Sequence, residues 1–275
     1  MNVLVVVPSL NEENSIESCL KSVKSQKTSD SIKIVLCDGK SNDKTTRLAK
    51  KYADKIIISN KRNVAIQRNT GANAFDSDLI LFLDADTILP PDYIQWGIEK
   101  FRKNPDLLGF SAGFTFSESD STLLFSEKIT NEYLKFRDRI GSPTLPGFNI
   151  FITRKAFELV NGFHDVPLED IDFSRRLREH GRTNYFTEMK VITSSRRLSG
   201  MGLIGTLRYY FEMDLARIRP DLKKYLIYSE YLACRQPPLY YKKIFDELYN
   251  QRVFLKKTRE KYDIILQEIR DYLLD

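Results

Sequence analysis

The chain has 275 residues, 42% of them hydrophobic and 29% charged, which is enough for one large domain, or one domain plus an appendage, with an ordinary globular core. Its net charge of +6 is modest and spread along the chain. It suits a polyanionic ligand or an anionic membrane surface, most of it reads as solvated face, and no Lys/Arg run marks a nucleic-acid tail. Three unclustered cysteines (Cys19, Cys37, Cys234) and two histidines (His164, His180) exclude zinc-ligand spacing and read as reduced thiols of a cytosolic protein.

Met1–Pro8 is apolar but too short for a signal peptide or a membrane span, and no later apolar stretch reaches spanning length. Any membrane contact is therefore expected to be peripheral, from the cytoplasmic side. Val3–Val7 reads as a strand covered on both faces. Asn14 and Glu17 have capping-box spacing, with Ile16, Leu20 and Val23 on one face of the helix that follows. Ile32–Leu36 is a second strand, Asp43–Ala53 a helix, Ile56–Ile58 a third strand, Asn63–Ala74 a helix and Leu79–Leu83 a fourth strand. This alternation predicts a parallel sheet with helices on both faces.

The regularity then changes. Pro91 opens a helix with a stripe of Ile94, Ile98 and Phe101; Leu107–Phe116 reads as a strand and Ser119–Arg139 as a helix. Gly141–Gly147 is a loop rich in turn formers, Asn149–Thr153 a strand, and Arg154–Val160 a short helix ended by Asn161-Gly162. Glu169–His180 is a helix closed by Gly181, and Val191–Thr193 is strand-like. From about Leu203 the pattern is helical. There Leu203, Ile204, Leu207, Phe211, Leu215 and Ile218 share one face, as expected of a helix that packs on the domain or, less commonly, lies on a lipid surface over 203–219.

The densest chemical signal is Asp84-Ala85-Asp86 at the end of the fourth strand. In an extended strand residues i and i+2 share a side, so two carboxylates converge while Ala85 faces away. Two hard anionic donors at a strand tip suit Mg²⁺ or Mn²⁺, which complete their shells with water and substrate phosphates, and this points to nucleotide-diphosphate chemistry. Ligands of open parallel sheets bind beyond the carboxyl ends of the strands, where three more clusters fall. Pro8–Glu13 follows strand one and lacks a Gly-x-Gly-x-x-Gly fingerprint. Asp38–Asp43 follows strand two: Asp38 there can accept from a base or ribose, and Ser41 and Asp43 read as turn and cap residues. Arg68-Asn69-Thr70-Gly71 leads into the acidic strand, with Arg68 either phosphate-pairing or solvated. Later, Glu169-Asp170-Ile171-Asp172 opens a helix, which alone is favourable helix-terminus charge, and Arg196-Arg197 alone is a surface pair.

Taken in order, Val5–Glu12, Asp38–Thr45, Arg68-Asn69-x-Gly71, Phe82–Asp86 and Glu169-Asp170-x-Asp172-Phe173 resemble the family 2 glycosyltransferases of the GT-A fold. The resemblance covers roughly the first two-thirds of the chain. It implies a Rossmann-like, mostly parallel α/β sheet with helices on both faces over residues 1–200, with about 1–90 for the nucleotide-sugar and about 91–200 for the acceptor, and a helical region over 201–275. It further implies an inverting, metal-dependent hexosyltransferase with a UDP- or GDP-sugar donor, Mn²⁺ or Mg²⁺, and a glycan, small-molecule or lipid-linked acceptor. On that analogy Pro8, Leu10, Glu12 and Asp38 line the base and ribose pocket, and Arg68 approaches the phosphates. Asp84 contacts ribose or metal, Asp86 holds the metal, and Asp170 is the base, with Glu169 or Asp172 as its fallback. Arg196 and Arg197 are placed to assist the leaving phosphate.

Two departures stand out. Lys40 occupies a position where a small residue is usual, and the Gln-x-x-Arg-Trp motif of processive synthases is missing. A nucleotide-sugar-forming nucleotidyltransferase and a non-catalytic nucleotide-sugar-binding module are the rival readings. The first should carry a glycine-rich loop after strand one; the second has no need of Asp170.

Overall fold

The structure, a computed structural model, describes residues 1–118, 121–141, 144–166 and 168–196. Arg197, Cys234, the amphipathic stretch 203–219 and the helical region 201–275 lie outside the described residues. Met1–Ser195 forms one compact unit.

Seven strands make one sheet in the order β3-β2-β1-β4-β6-β5-β7. They are β1 (Asn2–Ser9), β2 (Ser31–Asp38), β3 (Lys55–Ile58), β4 (Leu79–Leu83), β5 (Leu107–Phe116), β6 (Asn149–Thr153) and β7 (Arg182–Thr193). β1 pairs in parallel with β2 and β4, and β2 with β3, as the alternating pattern predicts. The sheet is not parallel throughout, however: β6 runs antiparallel between β4 and β5. Side chains alternate faces along a strand, and the two cores follow that alternation. Val3, Val5 and Val7 join Leu79, Leu81 and Leu83 on one face under α1 (Ile16–Lys24) and α4 (Tyr93–Lys103). Leu4, Val6, Ile80 and Phe82 lie on the other under α3 (Val64–Ala72), α6 (Arg154–Leu159) and α7 (Glu169–His180). α5 (Ser121–Arg139) packs over β5 and β7.

Several local expectations are corrected. The Asn14–Glu17 capping box does not form: the chain turns one residue later, the Ser15 hydroxyl donates to Glu12, and Glu17 instead accepts from the Tyr52 hydroxyl at 2.8 Å. The helix expected over Asp43–Ala53 is only Thr45–Ala49 (α2), because the Asp43 carboxylate accepts from the Thr45 amide and holds the first residues in a turn. Ser41 caps nothing; its hydroxyl donates to Asp38. Asn63 does cap α3, accepting from Ile66 N–H at 2.9 Å. β7 is twelve residues long, of which the sequence shows only the last three as a strand.

Candidate active site

The loops after β1 and β2 are laced together by side chains. Asn11 takes the left-handed conformation at φ 55, which asparagine tolerates. Its amide donates to the Ser41 hydroxyl, the Glu12 amide to the Thr45 hydroxyl and the Glu13 amide to Asp43. Asp38 ties the two strand ends. It is fully buried and accepts from the Ser9 hydroxyl at 2.8 Å and from the Ser41 amide at 2.7 Å. Asp38, assigned by resemblance to the base pocket, is thus occupied in tying the two strand ends; Pro8 is buried, and Leu10 and Glu12 are half-buried. Lys40 has φ 65, a backbone region that favours residues without a Cβ, so a small residue suits its position.

β4 ends at Leu83, and Asp84-Ala85-Asp86 is a turn rather than extended strand, closed by Thr87 N–H to the Asp84 carbonyl at 3.0 Å. In this turn Ala85 is buried, while Asp84 and Asp86 are both half-exposed. Two bonds fix the turn: Asp84 N–H to the Phe148 carbonyl, and an antiparallel bridge from Ile88 to Ile192 of β7. Beneath it lies the Cys19 thiol. Burial pushes its pKa up, and the Asp86, Asp84 and Glu12 carboxylates push it the same way.

Arg68 connects this turn to α7. Its guanidinium is 2% exposed and donates to Asp84 Oδ1 at 3.0 Å, to Glu169 Oε1 at 2.7 Å and to the Gly147 carbonyl at 3.0 Å. It lies over the Phe163 ring, 5.2 Å from the centroid, and that ring stacks on Phe173 of α7. Arg68, expected at the donor phosphates, is therefore enclosed behind Asp84. The helix turn that carries it packs flush against β1, and its charge is spent on two carboxylates.

Gly147 completes the connection, its N–H donating to Asp170 Oδ2 at 3.0 Å. A side chain there would meet the Arg68 guanidinium at 2.6 Å, so the loop approaches only as glycine. Leu168, left-handed at φ 52, turns the chain sharply into α7, where Glu169 and Asp170 open the helix. Burial raises the Glu169 carboxyl, with Asp170 adding to the rise and Arg68 opposing it.

Asp172 is not part of this group. It accepts from Arg176 Nε at 2.8 Å and lies 3.1 Å from His164 Nδ1. Burial works to raise its carboxyl, but the Arg176 guanidinium, with His164 and Arg175, holds it below the usual carboxylate range. Three helix positions from Glu169 and two from Asp170, it is engaged with Arg176, Arg175 and His164 rather than with Arg68. Arg196 is exposed just beyond β7. Two contributors are missed by sequence reasoning. Gly147 acts through its backbone, and Asn149 accepts from Ala112 N–H at 2.7 Å while donating to the Ala112 carbonyl at 3.1 Å. The turn-rich loop and the strand that begins after it are their only sequence signals.

Residues 4–160 match the profile of glycosyl transferase family 2. The chain belongs to that family. Glycosyltransferase GlyA of Streptococcus pneumoniae serotype 4 is 26% identical over 211 residues, which is 71% of this chain and 30% of GlyA. Glycosyltransferase AglE of Haloferax volcanii is 25% identical over 191 residues, covering 65% of this chain and 62% of AglE. The chain thus spans less than a third of GlyA and under two-thirds of AglE. Among solved structures, the mannosyltransferase PcManGT from Pyrobaculum calidifontis, in complex with GDP-Man and Mn²⁺, superposes with a TM-score of 0.60 at 19% identity, covering 76% of this chain and 64% of that one. TarS 1-349 of S. aureus with UDP-GlcNAc gives 0.57 at 15% identity, covering 70% and 58%. The fold of this family 2 member is the GT-A type, with its acidic turn and the opening of α7 meeting across Arg68 and Gly147.

Proposed function

We propose that this chain is an inverting, non-processive glycosyltransferase that moves a sugar from a UDP- or GDP-linked donor to an acceptor hydroxyl with the help of a divalent metal. The observation that carries the reading is the meeting of Asp84 of the acidic turn and Glu169 at the opening of α7 about one buried cation, Arg68. Inversion in one displacement needs a base on one side of the sugar and a stabilised leaving phosphate on the other. Separate but adjacent carboxylate groups meet that need. The bound donors of PcManGT and TarS support a nucleotide-sugar here.

Asp84 and Asp86 fit a divalent ion: both are half-exposed hard oxygen donors, and Mg²⁺ or Mn²⁺ sites use one or two carboxylates. When bound, the metal supplies Lewis-acid stabilisation of the departing diphosphate. Arg68 holds the Asp84 and Glu169 carboxylates in place. Asp170 receives the acceptor proton. Its two oxygens accept one amide each, from Gly147 and Ile171, and each retains a lone pair for the acceptor hydroxyl. Pro8, Leu10 and Glu12 line the base and ribose side over Asp38.

A nucleotidyltransferase would use the loop amides after β1 to cradle a triphosphate. Here the amides of Asn11, Glu12 and Glu13 are already bound to Ser41, Thr45 and Asp43, which favours the transferase. The test is turnover by Asp170→Asn with a panel of UDP- and GDP-sugars, scored by release of intact nucleoside diphosphate. Turnover should fall on the order of 10²–10⁴-fold while donor affinity holds. Wild-type turnover in that variant removes Asp170 as the base, and tight donor binding by an inert wild-type protein identifies a binding module instead.

A further inference from the structure

α5 presents a continuous apolar face to solvent. Phe125, Ile129, Tyr133 and Phe136, with Ile140 in the turn that follows the helix, recur at intervals of four, four, three and four, so they form one stripe, with Leu124 beside its start. Each of these side chains is between 43% and 59% exposed. The opposite face carries Leu123, Ser126, Glu127, Asn131 and Leu134, all buried. It is bound to the sheet: Asn131 exchanges hydrogen bonds with both backbone groups of Phe114, and the Tyr185 hydroxyl donates to its side chain. The helix is therefore fixed by one face, and the exposed stripe is not needed to hold it. The other large apolar residues exposed among the described residues, such as Met1, Ile58 and Leu159, are scattered. Contiguous apolar patches of this kind mark interaction sites.

The charges beside the stripe identify the partner. Lys128, Lys135 and Arg139 line one margin, and Arg137, stacked 5.9 Å from the Tyr133 ring centroid, lines the other. Glu132 is the one acid on this side among the described residues, since Asp138 accepts from Asn184 and Glu127 is turned to the sheet. An apolar stripe with tyrosine and phenylalanine, bordered by cations, is the pattern of a helix lying in the plane of a lipid–water interface. We propose that α5 docks the protein on an anionic lipid surface, with the stripe in the headgroup–acyl boundary and the lysines and arginines on lipid phosphates.

The placement of α5 gives this contact a consequence. Its first turns stand at the carboxyl end of β5, where Glu127 accepts from Phe116 N–H. That end of β5 is joined to the end of β7 by Ser117 N–H to the Thr193 carbonyl, and the end of β7 to the acidic turn by the Ile88–Ile192 bridge. The stripe thus begins at the edge of the sheet that carries Asp84 and Asp86. Taken with the transferase reading, on which this step rests, the acceptor class is a lipid-linked hydroxyl presented from the same surface. The docking itself does not depend on that reading.

The experiment is co-sedimentation of the full chain, without donor, on phosphatidylcholine vesicles with and without phosphatidylglycerol. The wild-type protein should bind the anionic vesicles, and binding should fall as salt rises. Ile129→Glu combined with Phe136→Glu should lower the partition on the order of tenfold or more, as should Lys128→Glu with Lys135→Glu, which leaves the stripe intact. Both pairs should keep the wild-type thermal midpoint, because all four side chains stand on the outer face. Leu207→Glu, in 203–219, should leave the partition unchanged. Absence of wild-type binding at low salt, or wild-type partition by the Ile129/Phe136 variant, overturns the proposal. So does a fall in midpoint or loss of a dimer in the Ile129/Phe136 variant, because the face is then covered by the chain itself or by a second copy.

Discussion

At the scale of single residues, Arg68 is the residue on which the site turns. Its guanidinium satisfies two carboxylates, one 16 and the other 101 positions from it in sequence, and burial leaves it no alternative in water. Removing the guanidinium leaves the largely buried Glu169 carboxylate uncompensated. Arg68→Ala should therefore cost about 3–5 kcal/mol of stability, read as a lowered urea midpoint. Arg68→Lys should recover only part of the loss, because an ammonium cannot span both acids and the Gly147 carbonyl in a planar fork. Asp172 gives a second prediction. Its folded-state carboxyl is held below the ordinary value, so it contributes stability that is present above the unfolded-state pKa and lost as pH falls through the folded-state value. Asp172→Asn should be less stable than wild type at neutral pH, and the two stability curves should converge in acid. A constant gap down to low pH would contradict the assigned contacts.

At the scale of elements, β6 shows what a sequence makes legible and what it hides. β1, β2 and β4 are readable because strands buried on both faces appear as unbroken apolar runs, and Leu79–Leu83 is buried throughout. The same apolar run in Asn149–Thr153 suits either direction, so its antiparallel insertion is visible only in the register. Most of β7 escapes because its outer residues alternate irregularly between exposed and half-buried along an edge strand. In the site, Asp84 and Asp86 are legible because acids at the tip of an apolar strand have no packing role. The Gly147 carbonyl and amide are not, since backbone groups carry no side-chain signature, and neither is the Arg68–Glu169 contact, which depends on the path of a distant helix. Asn149 is the element-level case. β5 and β6 pair directly only over Gly109–Ser111, and beyond that the Asn149 amide takes both Ala112 backbone groups as a neighbouring strand would. Asn149→Leu leaves a buried N–H and C=O unmet, each costing about 1–3 kcal/mol. Calorimetric melting should show that loss, together with weaker donor binding through the loosened Phe148–Asp84 bond.

At the scale of the whole molecule, the sheet brings three loops to one edge and the helices behind it lock them. The β1 and β2 loops are braced by Asp38, the acidic turn by Phe148 and Ile192, and the start of α7 by Gly147 and Arg68. Such a site is largely formed before ligand arrives, and binding energy can then go to the reaction rather than to ordering loops. No helix among the described residues is long and apolar enough to cross a membrane. The central claim is that a nucleoside diphosphate is held at this edge through a metal on Asp84 and Asp86. Titration calorimetry of UDP and GDP, with Mn²⁺ and with chelator, on the wild-type chain and on Asp86→Asn tests it most directly. The account predicts that one of the two nucleotides binds the wild-type chain only with Mn²⁺ present, and that Asp86→Asn loses the metal-dependent affinity while keeping its fold. Equal affinity in chelator, or an unchanged metal response in Asp86→Asn, would contradict it.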